Sequence, residues 1–222
     1  MTAKKTTTKK KAPTKEQFVS MYMDYVLEHE MEPKTIYKFC KEHKVEEQDF
    51  YQFFGSFTSL RKEIWNMFFE NSITLMHKSP EVETYSSREK MLTLFYTFFE
   101  NLTANRSYVL FTLEQHNNQL KNMDQLKGLR KHMRAFAKEL IEDDNDEKQF
   151  RVLQRSETIY AEAAWVQLLF LINFWRNDNS ANFEKTDMAI EKSVNTIFDV
   201  FDNTPLERVI DFGKFLYKEA RH

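Results

Sequence analysis

Glycine and proline are scarce, at 3 and 4 in 222 residues, where average usage gives roughly 15 and 11. Sheets need turns, and turns consume these residues. The shortage argues against a strand-rich fold and predicts long helices joined by short polar connections. Cysteine is nearly absent too. The lone Cys40 excludes an internal disulfide framework and any Cys-x-x-Cys zinc signature. The longest apolar-rich stretch, Ile159 to Trp175, is interrupted by Glu162, Gln167 and Asn173, so no membrane span is expected. The start of the chain has no apolar run of the kind a signal peptide carries. Charge of one sign is missing as well: 32 basic and 34 acidic residues leave a net charge of −2, hence no polyanion-seeking field over the whole chain. A cytoplasmic protein is expected.

Catalytic signatures are also missing. There is no glycine-rich phosphate loop and no His-Glu-x-x-His pair. A di-iron bundle would place Glu three residues before a histidine. The residues at that spacing are Val26, Cys40, Thr74, Leu113 and Leu129 for His29, His43, His77, His116 and His132. Only His222 has a Glu there, Glu219, and one copy makes no site. No activated nucleophile is evident. The sequence therefore predicts no enzyme, no cofactor and no metal.

What is present is helical periodicity. Residues 1–14 read as a disordered basic arm containing Lys4, Lys5, Lys9, Lys10 and Lys11, since composition of this kind buries no core. A first helix shows Phe18, Tyr22, Tyr25, Val26 and His29 on one face. Two short helices follow at about 34–42 and 46–53, with a turn at His43-Lys44. Gly55-Ser56 breaks the chain before a helix running through Leu60, Ile64, Met67, Phe68 and Leu75, which is ~30 Å long at 1.5 Å per residue. Such a helix can reach from a small head into a larger body. Further helices are predicted at about 88–104, 106–116, 122–142, 150–176 and from Phe183 to Phe201. The acidic run Glu142 to Glu147 reads as a solvated loop, and Thr204-Pro205 as the start of a last helix.

The informative segment is Thr35 to Leu60. Ile36, Phe39 and Cys40 form the inward face of one short helix, Val45 fills the turn, and Phe50, Phe53 and Phe54 face inward from the next. Two short helices crossed over such a cluster leave the outer face of the second free to enter a DNA groove. This segment resembles the DNA-binding signature of the TetR family through Thr35, Val45, the run Phe50-Tyr51-Gln52-Phe53-Phe54-Gly55-Ser56, and Leu60. The resemblance covers roughly residues 15–65. It implies an all-α, TetR-like protein with a helix-turn-helix domain at 15–62 and a ligand-binding and dimerisation domain at 63–222.

Carried onto this chain, the resemblance makes Thr35 a phosphate donor and Tyr51 a second one. It puts Gln48, Asp49 and Gln52 on the exposed face of the recognition helix, with Lys34 and Lys44 beside the DNA. Glutamine can read adenine in the major groove, and Asp accepts from cytosine. Three departures weaken the DNA reading. Phe57 stands where the family usually has a phosphate-binding Lys, Lys44 stands where the turn usually has Gly, and Glu46-Glu47 opens the recognition helix. Across 15–62 there are seven Lys/Arg against nine Asp/Glu, although phosphate neutralisation dominates affinity for duplex DNA.

In the C-terminal half the resemblance implies that the last long helix pair forms a four-helix bundle with a second copy. The stripe Ile190, Val194, Ile197 and Phe201 is the expected homodimer interface. Phe95, Phe98, Phe99, Tyr108, Phe111, Tyr160 and Trp165 are the expected walls of a pocket for an apolar small molecule. The order of residues from Phe174 to Thr186, with Asp178, Ser180, Phe183 and Glu184, is also similar to ubiquinone-biosynthesis lipid-binding proteins, which share the TetR-like fold. Two functions stay open: a regulator that binds double-stranded DNA as a homodimer and responds to an apolar ligand, or a binding protein for such a ligand without DNA recognition.

Overall fold

The computed structural model describes residues 12–114, 123–146 and 156–203. Among the described residues the chain is helix and loop, with no strand. The helices are α1 (Lys15–His29), α2 (Ile36–Glu42), α3 (Glu47–Tyr51), α4 (Phe57–Met76), α5 (Ser87–Ala104), α6 (Arg106–Glu114), α7 (Lys127–Asp146), α8 (Glu157–Arg176) and α9 (Glu184–Asn203). Short 3-10 turns at Pro80–Thr84 and Ala181–Phe183 precede α5 and α9. No helix among the described residues is long and apolar enough to cross a membrane.

The chain divides into two compact units, one of residues 1–64 with 106–125, the other of residues 65–105 with 126–222. The division falls inside α4. It also places α6 with the N-terminal helices, whereas the sequence reading put everything after residue 62 in the second domain. The reason is local: the fully buried Tyr108 of α6 meets Tyr22 of α1 edge to face at 6.4 Å.

In the first unit, α1 opens on a capping box in which Thr14 accepts from the Gln17 amide while the Gln17 side chain accepts from the Thr14 amide, satisfying donors that every helix start leaves open. Its inward face is Phe18, Val19, Tyr22 and Val26, at the 3–4 spacing a helix stripe requires. Phe39 from α2 and Phe50 from α3 close on it with no exposed surface. Their ring centroids lie 6.2 Å apart, and Phe18 meets Phe50 at 5.6 Å. Each buried ring of this kind contributes about 1.5–3 kcal/mol. One inward residue was misassigned: Phe53 is 42% exposed, because α3 ends at Tyr51 and the chain turns before the stripe recurs.

In the second unit, α5 begins on a capping box of Ser86 and Glu89 and buries Met91, Leu94, Phe95, Phe98, Phe99 and Leu102. The closest helix pair is α7 with α8, linked outside by Arg130 and Arg134 on Glu162. Gly128 is a close approach, since a Cβ there would stand 2.1 Å from Asn66 Oδ1. The acidic run from Glu142 is not the loop expected from its charge. Helix α7 continues through it to Asp146, with Lys138 paired to Glu142 at i, i+4 and Ser87 Oγ donating to Asp144 at 2.6 Å. Such partners offset the cost of carboxylates at a helix C-terminus. The expected last helix from Thr204-Pro205 and the basic arm up to Lys11 lie outside the described residues.

Candidate functional site

The crossed pair α2–α3 has the turn that the sequence predicted. His43 ends α2, and Lys44 takes φ 56°, the left-handed conformation that favours glycine. Val45 N–H then donates to Cys40 C=O at 3.0 Å. The requirement for a left-handed residue accounts for the Gly usual at this turn, and here a lysine bears the strain.

Thr35 is the N-cap of α2, its Oγ1 accepting from the Lys38 amide at 3.2 Å. A hydroxyl accepts and donates at once, so the cap still leaves its hydrogen to give to a phosphate. Lys34 and Lys44 are exposed, as are Gln48, Tyr51 and Gln52, while Asp49 is half-buried. The polar ends of α3 are already engaged with one another. Tyr51 Oη donates to Glu47 at 3.0 Å, and Gln52 Nε2 donates to Asp49 at 3.4 Å. The hydrogen bond to Glu47 holds the Tyr51 hydroxyl above its ordinary pKa, with burial and the Glu47 charge adding to it. Phe57 is no substitute for a phosphate-binding lysine. It is a hub residue, stacked on Tyr22 at 5.5 Å and edge-on to Phe39 at 5.5 Å. The sequence read Phe57 as a missing contact, and nothing in its spacing showed that it belonged to the core.

A polar group lies beneath these rings. Tyr22 Oη donates to Glu32 at 2.8 Å, and Arg61 pairs with the same carboxylate. Burial pushes the Tyr108 phenol well above its usual range, and the nearby Arg61 charge offsets this only in part.

In the second unit the expected dimer stripe separates into two sets. Ile190 and Val194 are fully buried inside the chain, together with Phe198, and so present nothing to a second copy. Phe201 packs edge-on against Tyr160 at 5.2 Å. Ile197 instead lines an open apolar groove of about 610 Å³ with Phe170, Phe174, Met188, Ala189 and the stem of Lys192. Around it Val166, Phe170 and Met188 are 62%, 52% and 49% exposed. The four residues share one stripe of α9, and periodicity alone does not say how far along the helix its own core covers that stripe.

The expected pocket walls are also dispersed. Tyr108 and Phe111 belong to the first unit. In the second, Phe98 packs on Phe69 and Phe99, and Tyr160 on Phe198; Phe95 and Trp165 are buried as well. Phe99 lines a cleft of about 430 Å³ between α5, the end of α8 and the start of α9, together with Tyr96, Glu100, Thr103, Trp175, Phe183 and Asp187 among others. Among the described residues no cluster of three or more His, Cys, Asp or Glu is placed to hold a metal.

The segment Phe174 to Thr186 contributes Trp175, Asn182, Phe183 and Thr186 to the lining of that cleft. Asp178, 5% exposed, accepts from Ser180 N–H and Oγ on one oxygen and from Thr186 N–H and Oγ1 on the other, at 2.7–2.9 Å. Burial alone would raise its pKa, but the four hydrogen bonds outweigh that and hold the carboxyl at about 2. The clamp fixes the α8–α9 turn, in which Asn182 and Phe183 have φ 51° and 60°.

Comparison with known proteins agrees with this architecture. A family described as the tetracyclin repressor-like, C-terminal domain matches residues 90–216, more than half of the chain. No curated protein and no solved structure matches. The chain belongs to the TetR family of regulators.

Proposed function

We propose that the protein is a transcriptional regulator that reads duplex DNA as a homodimer and responds to a small molecule bound in its second unit. The observation that carries this is the crossed α2–α3 pair, with Thr35 capping α2 and the outer face of α3 open to solvent, in a chain of this family. Lys34, Thr35, Lys44 and Tyr51 would contact phosphates, while Gln48, Asp49 and Gln52 would face the bases. Dimerisation rests on the exposed groove of α8 and α9, since apolar patches of this kind mark association surfaces. Of the expected stripe Ile190, Val194, Ile197 and Phe201, Ile197 lines this groove, with Phe170 and Met188 beside it.

A second reading keeps the fold and drops DNA: a ligand-binding protein of the same architecture. It is favoured by the acidic opening of α3 and by the bonds of Tyr51 and Gln52 to Glu47 and Asp49. Electrophoretic mobility shift over genomic fragments at two salt concentrations separates the two. The regulator retains specific fragments, with affinity falling steeply as salt rises. Tyr51→Phe then weakens all fragments alike, and Gln52→Ala relaxes the sequence preference. No retention at low salt supports the second reading.

A further inference from the structure

The cleft between α5, the end of α8 and the start of α9 has a chemistry different from that of an apolar pocket. Its floor is Phe99 and Trp175, both buried, with rings 6.3 Å apart. Tyr96 and Phe183 are half-buried at its sides. The exposed carboxylates of Glu100 and Asp187 stand on the same lining, and no Lys, Arg or His is among the lining residues. Neither carboxylate has an ion-pair partner among the described residues, although Arg and Lys side chains elsewhere in this unit pair with acids.

Further acidic residues stand nearby. The Asp187 carboxyl is pushed above its ordinary pKa by burial, then by Asp178 and Glu184. The Tyr96 phenol is pushed up by burial, then by Glu191 and Asp187. Half-buried aromatic side chains such as Tyr96 and Phe183 beside carboxylates attract a positive charge that is itself weakly hydrated. A bare divalent metal would need several oxygen ligands converging at short range, and no such cluster is present among the described residues.

We infer that this cleft binds a small organic cation, an amine or quaternary ammonium compound, whose charge is met by Glu100 and Asp187 and whose carbon surface lies on the aromatic side chains. This inference deepens, and rests on, the reading of the second unit as the effector-binding part. It replaces the apolar effector expected from the phenylalanine content.

The test is calorimetric titration of the full chain, without DNA, with choline, tetraethylammonium and benzyltrimethylammonium, and with 3,3-dimethylbutan-1-ol as the uncharged counterpart of choline. At least one cation binds saturably, and choline binds about tenfold or more tighter than the alcohol. Glu100→Gln and Asp187→Asn each weaken the cation about tenfold. Asp187→Asn removes a partly buried charge that Asp178 and Glu184 repel, at the cost of one first-turn acid of α9. Its thermal midpoint should therefore stay close to the parent value, which separates weakened binding from a folding defect. Equal binding of choline and the alcohol, unchanged binding by both variants, or no saturable binding of any of the three cations overturns the inference. Because DNA is absent from the titration, failure here leaves DNA reading untouched, and failure of DNA binding leaves this result standing.

Discussion

The outer faces of α3 and of the α8–α9 pair make opposite offers to a partner. Two polar side chains at the end of α3 are already engaged, Tyr51 by Glu47 and the C-cap Gln52 by Asp49. A DNA duplex has to displace these bonds and overcome two acidic residues in the first turn of α3. The α8–α9 face instead exposes Val166, Phe170 and Met188 to water, and covering it exchanges apolar surface for protein contact at roughly 25 cal/mol per Å². At the second face the apolar gain has to exceed the loss of rigid-body freedom and the repulsion of Lys185 and Lys192 on the two copies, whereas DNA reading at the first must come from phosphate contacts that outweigh the local acid. An exposed helix is not by itself a reading helix. What its side chains already hold decides how much of it is available.

The largest effect expected on the first face is through its support. Phe39→Ala removes a fully buried ring that touches Tyr22, Tyr25, Phe50 and Phe57, and should cost about 3–5 kcal/mol in chemical denaturation. A loss below 1 kcal/mol would mean that the aromatic hub does not hold the α2–α3 crossing.

On the second face, Phe170→Glu places an unpaired charge in the proposed contact. It should weaken self-association roughly hundredfold in sedimentation equilibrium and leave helicity by circular dichroism unchanged. Ile190→Glu, at a site with no exposure, should instead unfold the second unit. If both variants merely shifted the association constant, the division of α9 into a core edge and an outer edge would be wrong.

The turn beside that face supplies a pH test. Asp178 has a folded pKa of about 2 against an ordinary 3.8, so it is depressed on folding. Its contribution, about 2 kcal/mol, is complete above pH 4 and is lost as pH falls through 2. Asp178→Asn should remove that increment at neutral pH and flatten the acid limb of a stability-versus-pH curve. An unchanged acid limb would show that the clamp does not form.

The smallest effect sharpens the first face. Lys44→Gly relieves a left-handed lysine and should raise stability by about 1 kcal/mol. It should also weaken DNA binding, since it removes one of the cations beside α3. Stabilisation without loss of binding would take Lys44 off the DNA.

Much of the first unit was legible because its signals are local. Phe18, Tyr22, Phe39, Phe50 and Phe54 recur at helical spacing, and the Thr35 cap and the His43-Lys44 turn are written in adjacent residues. The less legible parts depend on which surface meets which. Phe57 reads as a departure from a phosphate contact until Tyr22 and Phe39 are seen around it. Asp178 stands out in the sequence only through a resemblance, because the donors of Ser180 and Thr186 converge on it only after the backbone has folded back. Ile190 and Ile197 share nearly one face of a helix, seven residues apart, and the core covers that face at Ile190 but leaves it partly open at Ile197. The phenylalanine count points to a cavity lined by rings, but composition does not say which rings would line it. Phe95, Phe98, Tyr160 and Trp165 are buried in the second unit, while Phe99 lines a cleft with Glu100 and Asp187.

If two copies of the α2–α3 pair read duplex DNA, selection from a random duplex library will reveal the sequence they prefer. With the purified full chain at low salt, several rounds should enrich a sequence with inverted half-sites about one helical turn apart, and Gln52→Ala should broaden it. A library that remains random after selection, with the protein folded and dimeric, would contradict the account.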